Sequence, residues 1–255
     1  MKRMMQSCII AFAMYSKIPM PKTEWDKENM KYAFCFLPLV GAVIGALTYL
    51  FGTYGEKIAG NGAVYTILLM MIPIFVTGGI HVDGLLDTSD ALNSYKPKEE
   101  KLKILKDSHA GAFAIIVGIC YFFIQFGAYS ELTPEMLPVL SLSFILSRAF
   151  SALSVVSFRM AKNTGLAATF SEMAIKKRVQ ITMLVYILVC SAAMIVLHPV
   201  YGMCAVCITV LDFVYYRHMA YKQFGGVTGD LAGFYLQTCE LLMIVVMVFA
   251  SHIMG

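Results

Sequence analysis

The chain has 255 residues, 59% of them hydrophobic and only 14% charged, with a mean hydropathy of +0.72. A water-facing domain carries roughly 25% charged residues, so a soluble globular fold is excluded. The composition predicts an all-α, polytopic integral membrane bundle, formed as a single domain over residues 1–255. The net charge of +4 and pI near 8.6 suit a lipid bilayer with anionic headgroups and give no reason to expect a nucleic acid.

Lys2 and Arg3 precede a short apolar stretch, 8–15, that lacks a small-residue cleavage site; it reads as an interfacial or half-inserted segment. Seven spans follow, near 33–52, 62–80, 111–129, 136–157, 179–197, 201–216 and 231–251, each close to the ~20 apolar residues that cross a bilayer. The fifth and sixth are divided at His198-Pro199, inside a run of 33 residues, 179–211, without a single Asp, Glu, Lys or Arg. With these spans, 18 of the 20 Lys and Arg residues fall on one side, Lys57 falls on the other, and Arg148 lies within the fourth span. The bias of basic residues toward the cytoplasm therefore predicts a cytoplasmic N-terminus in the cell membrane. Most of the cysteines lie in apolar runs and read as small hydrophobes; Cys204 and Cys207 have no second pair nearby that would suggest a metal.

The second span runs into Gly78-Gly79-Ile80-His81-Val82-Asp83-Gly84-Leu85-Leu86-Asp87-Thr88-Ser89-Asp90. Asp83, Asp87 and Asp90 stand at i, i+4 and i+7, which puts three carboxylates on one helical face. Like charges stacked in this way repel one another until a cation lies between them, and hard oxygen donors favour Mg²⁺ or Mn²⁺ over zinc. A solvated helix end is the plainer reading, but no Lys or Arg interleaves to neutralise the acids. His81 suits a metal ligand, a phosphate contact, an acid or base, or a satisfied structural histidine.

Three further groups map to the same side. Lys106-Asp107-Ser108-His109 precedes the third span, where Asp107 or Ser108 is placed to cap the helix and Lys106, Ser108 and His109 to hold phosphate. Gly225-Gly226-Val227-Thr228-Gly229-Asp230 reads as a phosphate- or metal-binding turn at the entrance of the last span, with Asp230 as a plain N-cap the alternative. The loop 159–166 adds Arg159 and Lys162. Arg148 needs an anionic partner, either Glu240 or substrate. Acids, basic groups and glycine turns on one face are the parts of a phosphoryl-transfer site, where protein groups mainly position and neutralise.

The run Gly78 to Leu92 closely resembles the signature of the cobalamin synthase family, the adenosylcobinamide-GDP ribazoletransferases. Lys106-Asp107-Ser108-His109-Ala110-Gly111 and Gly225-Gly226-Val227-Thr228-Gly229-Asp230 resemble its later motifs, as do Lys17-Ile18-Pro19-Met20-Pro21, Phe36-Leu37-Pro38-Leu39-Val40-Gly41 and Thr164-Gly165-Leu166. The chain departs from that pattern with Lys106 in place of Arg and with Ala114 and Ala167 in place of Gly. The resemblance implies a Mg²⁺-dependent membrane enzyme of cobalamin biosynthesis. It would join adenosylcobinamide-GDP to α-ribazole, or to α-ribazole 5′-phosphate, releasing GMP. It implies catalytic roles for His81, Asp83 and His109. Substrate contacts would come from Lys106, Ser108, Arg148, Thr228 and Gly229, and metal ligands from Asp83, Asp87, Asp90, Asp107 and Asp230. The reading admits a homo-oligomer.

Two other classes compete. A CDP-alcohol phosphotransferase also stacks aspartates at a membrane face, but its pattern has Ala-Arg where Asp87-Thr88 stands here. A transporter would spread polar residues through the membrane depth, and often carries an inverted repeat; only Arg148 and Glu240 lie clearly within spans.

Overall fold

The computed structural model describes residues 2–107, 109–162 and 164–254. Thirteen helices run through these residues, and their only β-pairing is one isolated parallel bridge between Met160 and Val227. Six helices are long and apolar enough to cross a membrane: α3 (Ala33–Tyr54), α8 (Ala112–Ser130), α9 (Leu137–Ser157), α11 (Lys176–Leu197), α12 (Pro199–Phe224) and α13 (Gly229–Met254). The seventh expected span is α5 (Ala63–Thr77), the first limb of a pair bent by 93° against α6 (Ile80–Asn93). Short helices α1 (Lys2–Tyr15), α2 (Lys27–Met30), α4 (Glu56–Ala59), α7 (Lys98–Ile104) and α10 (Leu166–Met173) complete the chain. Exposed Phe75, Ile115, Phe123, Leu188 and Val189 present hydrocarbon outward on α5, α8 and α11. An apolar surface of this extent belongs in lipid, and the protein is a multi-pass membrane protein.

The division at His198-Pro199 holds. Pro199 starts α12, where a missing N–H is harmless, and His198 caps it, its Nδ1 accepting the Tyr201 N–H at 3.3 Å. Gly202 lets the hairpin close, because a Cβ there would lie 2.3 Å from the Met194 carbonyl oxygen.

Helices α9 and α13 form the centre. Arg148 on α9 is fully buried and donates from Nη1 to Glu240 Oε1 on α13 at 2.7 Å, and Ser147 donates to the same oxygen at 2.7 Å. Helix α3 lies against α9 backbone to backbone. A Cβ at Gly41 would sit 2.1 Å from Phe144 O, and one at Gly45 would sit 2.2 Å from Ser141 O. Small residues one turn apart are how membrane helices approach closely, since lipid gives no hydrophobic drive to associate.

Gly41→Ala should therefore lower thermal stability in detergent by about 1–3 kcal/mol. Gly127→Ala, on α8 where nothing lies within 4 Å of an added Cβ, should leave it unchanged or raised by up to about 1 kcal/mol. Equal effects of the two would remove the close-approach argument.

Candidate active site

The site begins at the bend. Gly78 and Gly79 have φ of 68° and 80°, the left-handed region that glycine enters without strain. They end α5 and turn the chain through 93°. The acidic run is thus not a straight continuation of the second span, as its sequence suggests, but a separate helix set at 93° to α5 and packed against α13 and α8. On α6 the buried face is His81, Gly84, Leu85, Thr88, Ser89 and Ala91. Asp83, Asp87 and Asp90 share the opposite face; Asp83 is exposed, Asp87 and Asp90 half-buried.

Two glycines set α6 onto α13. A Cβ on Gly84 would lie 2.7 Å from the Asp230 carbonyl oxygen, and one on Gly233 would lie 3.3 Å from that of His81. The crossing brings Asp230 into the electric field of the α6 acids. Thr228, rather than Asp230, caps α13: its hydroxyl oxygen accepts the Leu231 N–H at 3.2 Å and its O–H points to Asp230 Oδ2 at 3.4 Å. Asp230 is left to face the cleft. The turn before it is held to the loop after α9, since Ala161 N–H donates to Val227 O and Val227 N–H to Arg159 O, each at 2.9 Å. Gly226 is required there, because a Cβ would meet Arg159 O at 2.4 Å.

A cleft of about 410 Å³ opens between these elements. His81, Asp83, Lys106, Lys162, Thr228, Gly229 and Asp230 lie on its polar wall; Met14, Tyr15, Phe34, Leu37, Val155 and Ala168 lie on its apolar wall. His81 is 6% exposed, stacks on Tyr15 at 6.2 Å between ring centroids, and has an enclosed Nδ1 without a hydrogen-bond partner. Burial, with a smaller contribution from the Arg148 charge, pushes its imidazole down to about 3, so it is neutral. Burial also lowers the Lys162 ammonium, with Asp230 opposing the shift and Lys106 adding to it.

Of the expected site residues, the fold brings His81, Asp83, Lys106, Thr228, Gly229 and Asp230 to one cleft. Asp87 and Asp90 sit further along the same face of α6. The Asp90 carboxylate rests on Gly111, where a Cβ would be 2.2 Å from either oxygen. Gly111 holds the N-cap position of α8 with no side-chain cap, so the capping role expected for Asp107 is not taken. Asp107 instead turns back on His109: its Oδ1 accepts the His109 backbone N–H at 3.0 Å and lies 2.8 Å from Nδ1, which lowers its carboxyl. Both residues are exposed and outside the cleft wall. Ser108 lies outside the described residues. Arg148 pairs with Glu240 through Nη1, its Nε and Nη2 having no hydrogen-bond partner among the described residues, and Ser151, one turn along α9, lines the cleft. Lys162 and Tyr15 are additions; Lys162 had a signal in the basic loop before Thr164-Gly165, whereas no spacing marks Tyr15.

Among the described residues, no three of His, Cys, Asp and Glu stand close enough to enclose a metal ion by themselves, and Asp83, Asp87 and Asp90 have no ion-pair partner there. Burial and the charges of Asp83, Asp230 and Asp90 push the Asp87 carboxyl up to about 6.

The model of the family described as cobalamin-5-phosphate synthase matches residues 7–248. The chain belongs to this family. Among its relatives is an adenosylcobinamide-GDP ribazoletransferase of Lachnoclostridium phytofermentans, 43% identical over 98% of this chain and 95% of that one. Proteins of the same description from Clostridium botulinum (strain Alaska E43 / Type E3) and Clostridium perfringens (strain 13 / Type A) are 33% and 32% identical, covering 95% and 94% of this chain and 96% of each relative. No solved structure matches. A cobalamin-5-phosphate synthase family member with this architecture is a membrane-embedded transferase.

In this family member the crowded acids should weaken the fold. A carboxyl whose native value is raised loses stability as pH climbs through that value. Asp87→Asn should raise the melting temperature in chelator at pH 7.5, by an amount equivalent to at most about 1 kcal/mol given the solvent screening of a half-exposed group. The gain should shrink at pH 5 and vanish only below the ordinary carboxylate value of 3.8, where the unfolded chain is protonated as well. A gain of the same size at both pH values would show that repulsion is not its source.

Proposed function

We propose that this chain joins adenosylcobinamide-GDP to α-ribazole, or to α-ribazole 5′-phosphate, with release of GMP, at the cytoplasmic face of the cell membrane. The observation that carries this reading is convergence. His81 and Asp83, Lys106, Lys162, and Thr228 through Asp230 come from four separate stretches of chain and meet on one cleft. The names of its relatives supply the substrates.

The chemistry follows from what these groups do at neutral pH. The ribazole hydroxyl attacks the phosphorus on the cobinamide side of the diphosphate, and the bond to GMP breaks. Lys106, Lys162 and the Thr228-Gly229 turn lie where phosphate oxygens would enter, and supply positive charge and hydrogen bonds. Neutral His81 offers a hydrogen bond and not a charge. The hydroxyl proton passes to a carboxylate of the acidic face or to His81.

The same residues fit magnesium. Their donors are oxygens, they stand in one another's field, and they lack cationic partners among the described residues apart from Lys162 near Asp230. The absence of a closed three-donor cage suits an ion that takes one or two carboxylates and completes its shell with water and substrate phosphate. Asp83, Asp87, Asp90 and Asp230 are the residues that would hold it; when bound, it offsets charge on the diphosphate and the departing GMP.

GMP release from adenosylcobinamide-GDP and α-ribazole, measured with and without Mg²⁺, tests this. Asp83→Ala should slow release by on the order of 100-fold or more, and chelation should abolish it. Equal rates for the variant and the unaltered protein would defeat the assigned site. The orientation has its own check: seven spans from a cytoplasmic N-terminus place a reporter fused after residue 255 outside the cytoplasm. A cytoplasmic reporter signal would reverse the face or change the span count.

A further inference from the structure

The end of α12 carries a second cleft, apart from the first. It holds about 700 Å³ and opens between the last turns of α12 and the end of α9. Phe158, Phe213 and Val214 form its apolar floor, and Arg217, His218 and Lys222 line its rim. The Arg217 guanidinium lies over the rings of Phe158 and Tyr221, 5.5 and 5.7 Å from their centroids.

Basic residues where a span leaves the membrane are ordinary. Here they have two further properties. First, among the described residues none of the three has an ion-pair partner, and no Asp or Glu contributes to the wall. Arg3 and Lys31 pair with Glu28 and Lys96 with Glu100, whereas these three, like most basic groups at this end, face no acid among the described residues. Second, the unpaired charges stand above a hydrocarbon floor that continues along α12 through Val210, Leu211, Val214 and Tyr215, all exposed. A ligand complementary to both is an amphiphile with an anionic head and apolar tails lying along a membrane helix.

We propose that this cleft binds the phosphodiester headgroup of an anionic glycerophospholipid. Arg217 and Lys222 hold the phosphate, and the acyl chains follow the exposed apolar face of α12. The site adjoins the active cleft through one segment. Phe158 floors the lipid cleft, and Met160 and Lys162, a few residues on, line the other. The Arg159 side chain between them donates to Gly225 O from Nε at 3.0 Å and from Nη2 at 2.7 Å. A lipid in this position packs against the outer side of a wall whose inner side faces the active cleft.

The test is native mass spectrometry of the full-length protein in mild detergent, offered equal amounts of phosphatidylglycerol and phosphatidylcholine. Phosphatidylglycerol should be retained selectively. The double substitution Arg217→Gln with Lys222→Gln should weaken its retention roughly 30-fold. Lys176→Gln with Lys177→Gln, which alters exposed basic residues at the start of α11, should leave it unchanged. Val214→Trp fills the floor while keeping the charges and should also weaken retention; circular dichroism and melting temperature confirm that each variant is folded. Equal retention of the two lipids, full retention by the Arg217/Lys222 variant, or an equal loss in the Lys176/Lys177 variant would overturn the proposal. So would displacement of the lipid by millimolar inorganic phosphate, which would mark the cleft as a soluble-anion site. The readout is independent of turnover, so it stands or falls apart from the proposed reaction.

Discussion

The backbone of Gly84 lies against that of Asp230 with no room for a single Cβ, and the acidic face depends on that contact. Three carboxylates come from consecutive turns of α6, but the fourth arrives only because α13 crosses α6 this closely. The same approach seats Gly233 against the His81 backbone and fixes where the imidazole enters the cleft. Glycine inside a helix costs about 1 kcal/mol relative to alanine. Gly84 and Gly233 are therefore two places where local preference yields to the position of the acids, whereas the left-handed pair Gly78-Gly79 is where glycine is the favoured residue. Those acids would stack poorly in water and worse in lipid, so the geometry is explained by what they meet rather than by what holds them.

The bundle handles charge in two ways. Deep inside, Arg148 and Glu240 face each other with Ser147 as a third partner. Removing one member would leave a bare charge away from water, a loss of about 3–5 kcal/mol, so the pair is locked into the contact of α9 with α13. At the end of the bundle the rule is reversed. Asp83, Asp87 and Asp90 are left without cations while Lys106 and Lys162 stand on the cleft wall nearby. A fold optimised only for stability would pair them. Keeping opposite charges on one cleft without letting them close on each other is the pattern of a site that waits for a ligand carrying both kinds of partner, as a diphosphate with its metal does.

Much of this could be read from residue order, for reasons that differ by element. Six of the seven spans are written in hydrophobic length, and the break at His198-Pro199 in the chemistry of proline. The shared face of Asp83, Asp87 and Asp90 follows from helical periodicity alone. What could not be read depended on contacts distant in sequence. The 93° turn arises from two glycines whose φ is set by packing; the sequence showed only that they were free to bend. Asp107 and Ser108 both precede α8 as possible caps, but the helix starts at Ala112 and Asp107 holds His109 instead. Thr228 displaced Asp230 as the cap because a hydroxyl can accept from Leu231 N–H while still pointing at the carboxylate. Tyr15 entered the cleft only through the docking of α1 on the bundle, for which no motif exists.

The turned helix also explains why the acids are spaced as they are. The i, i+4, i+7 spacing makes a row of roughly 10 Å along α6, while the opposite face carries His81, Gly84, Leu85 and Thr88 into the bundle. The row runs from the cleft wall at Asp83 to the start of α8, where Asp90 rests on Gly111. One end of the row therefore shares a cleft with Asp230, and the other abuts the entrance of α8. With the buried face pinned by Gly84 on Asp230, moving any one acid by a single residue would swing it about 100° around α6, so the row keeps its carboxylates together only in this register.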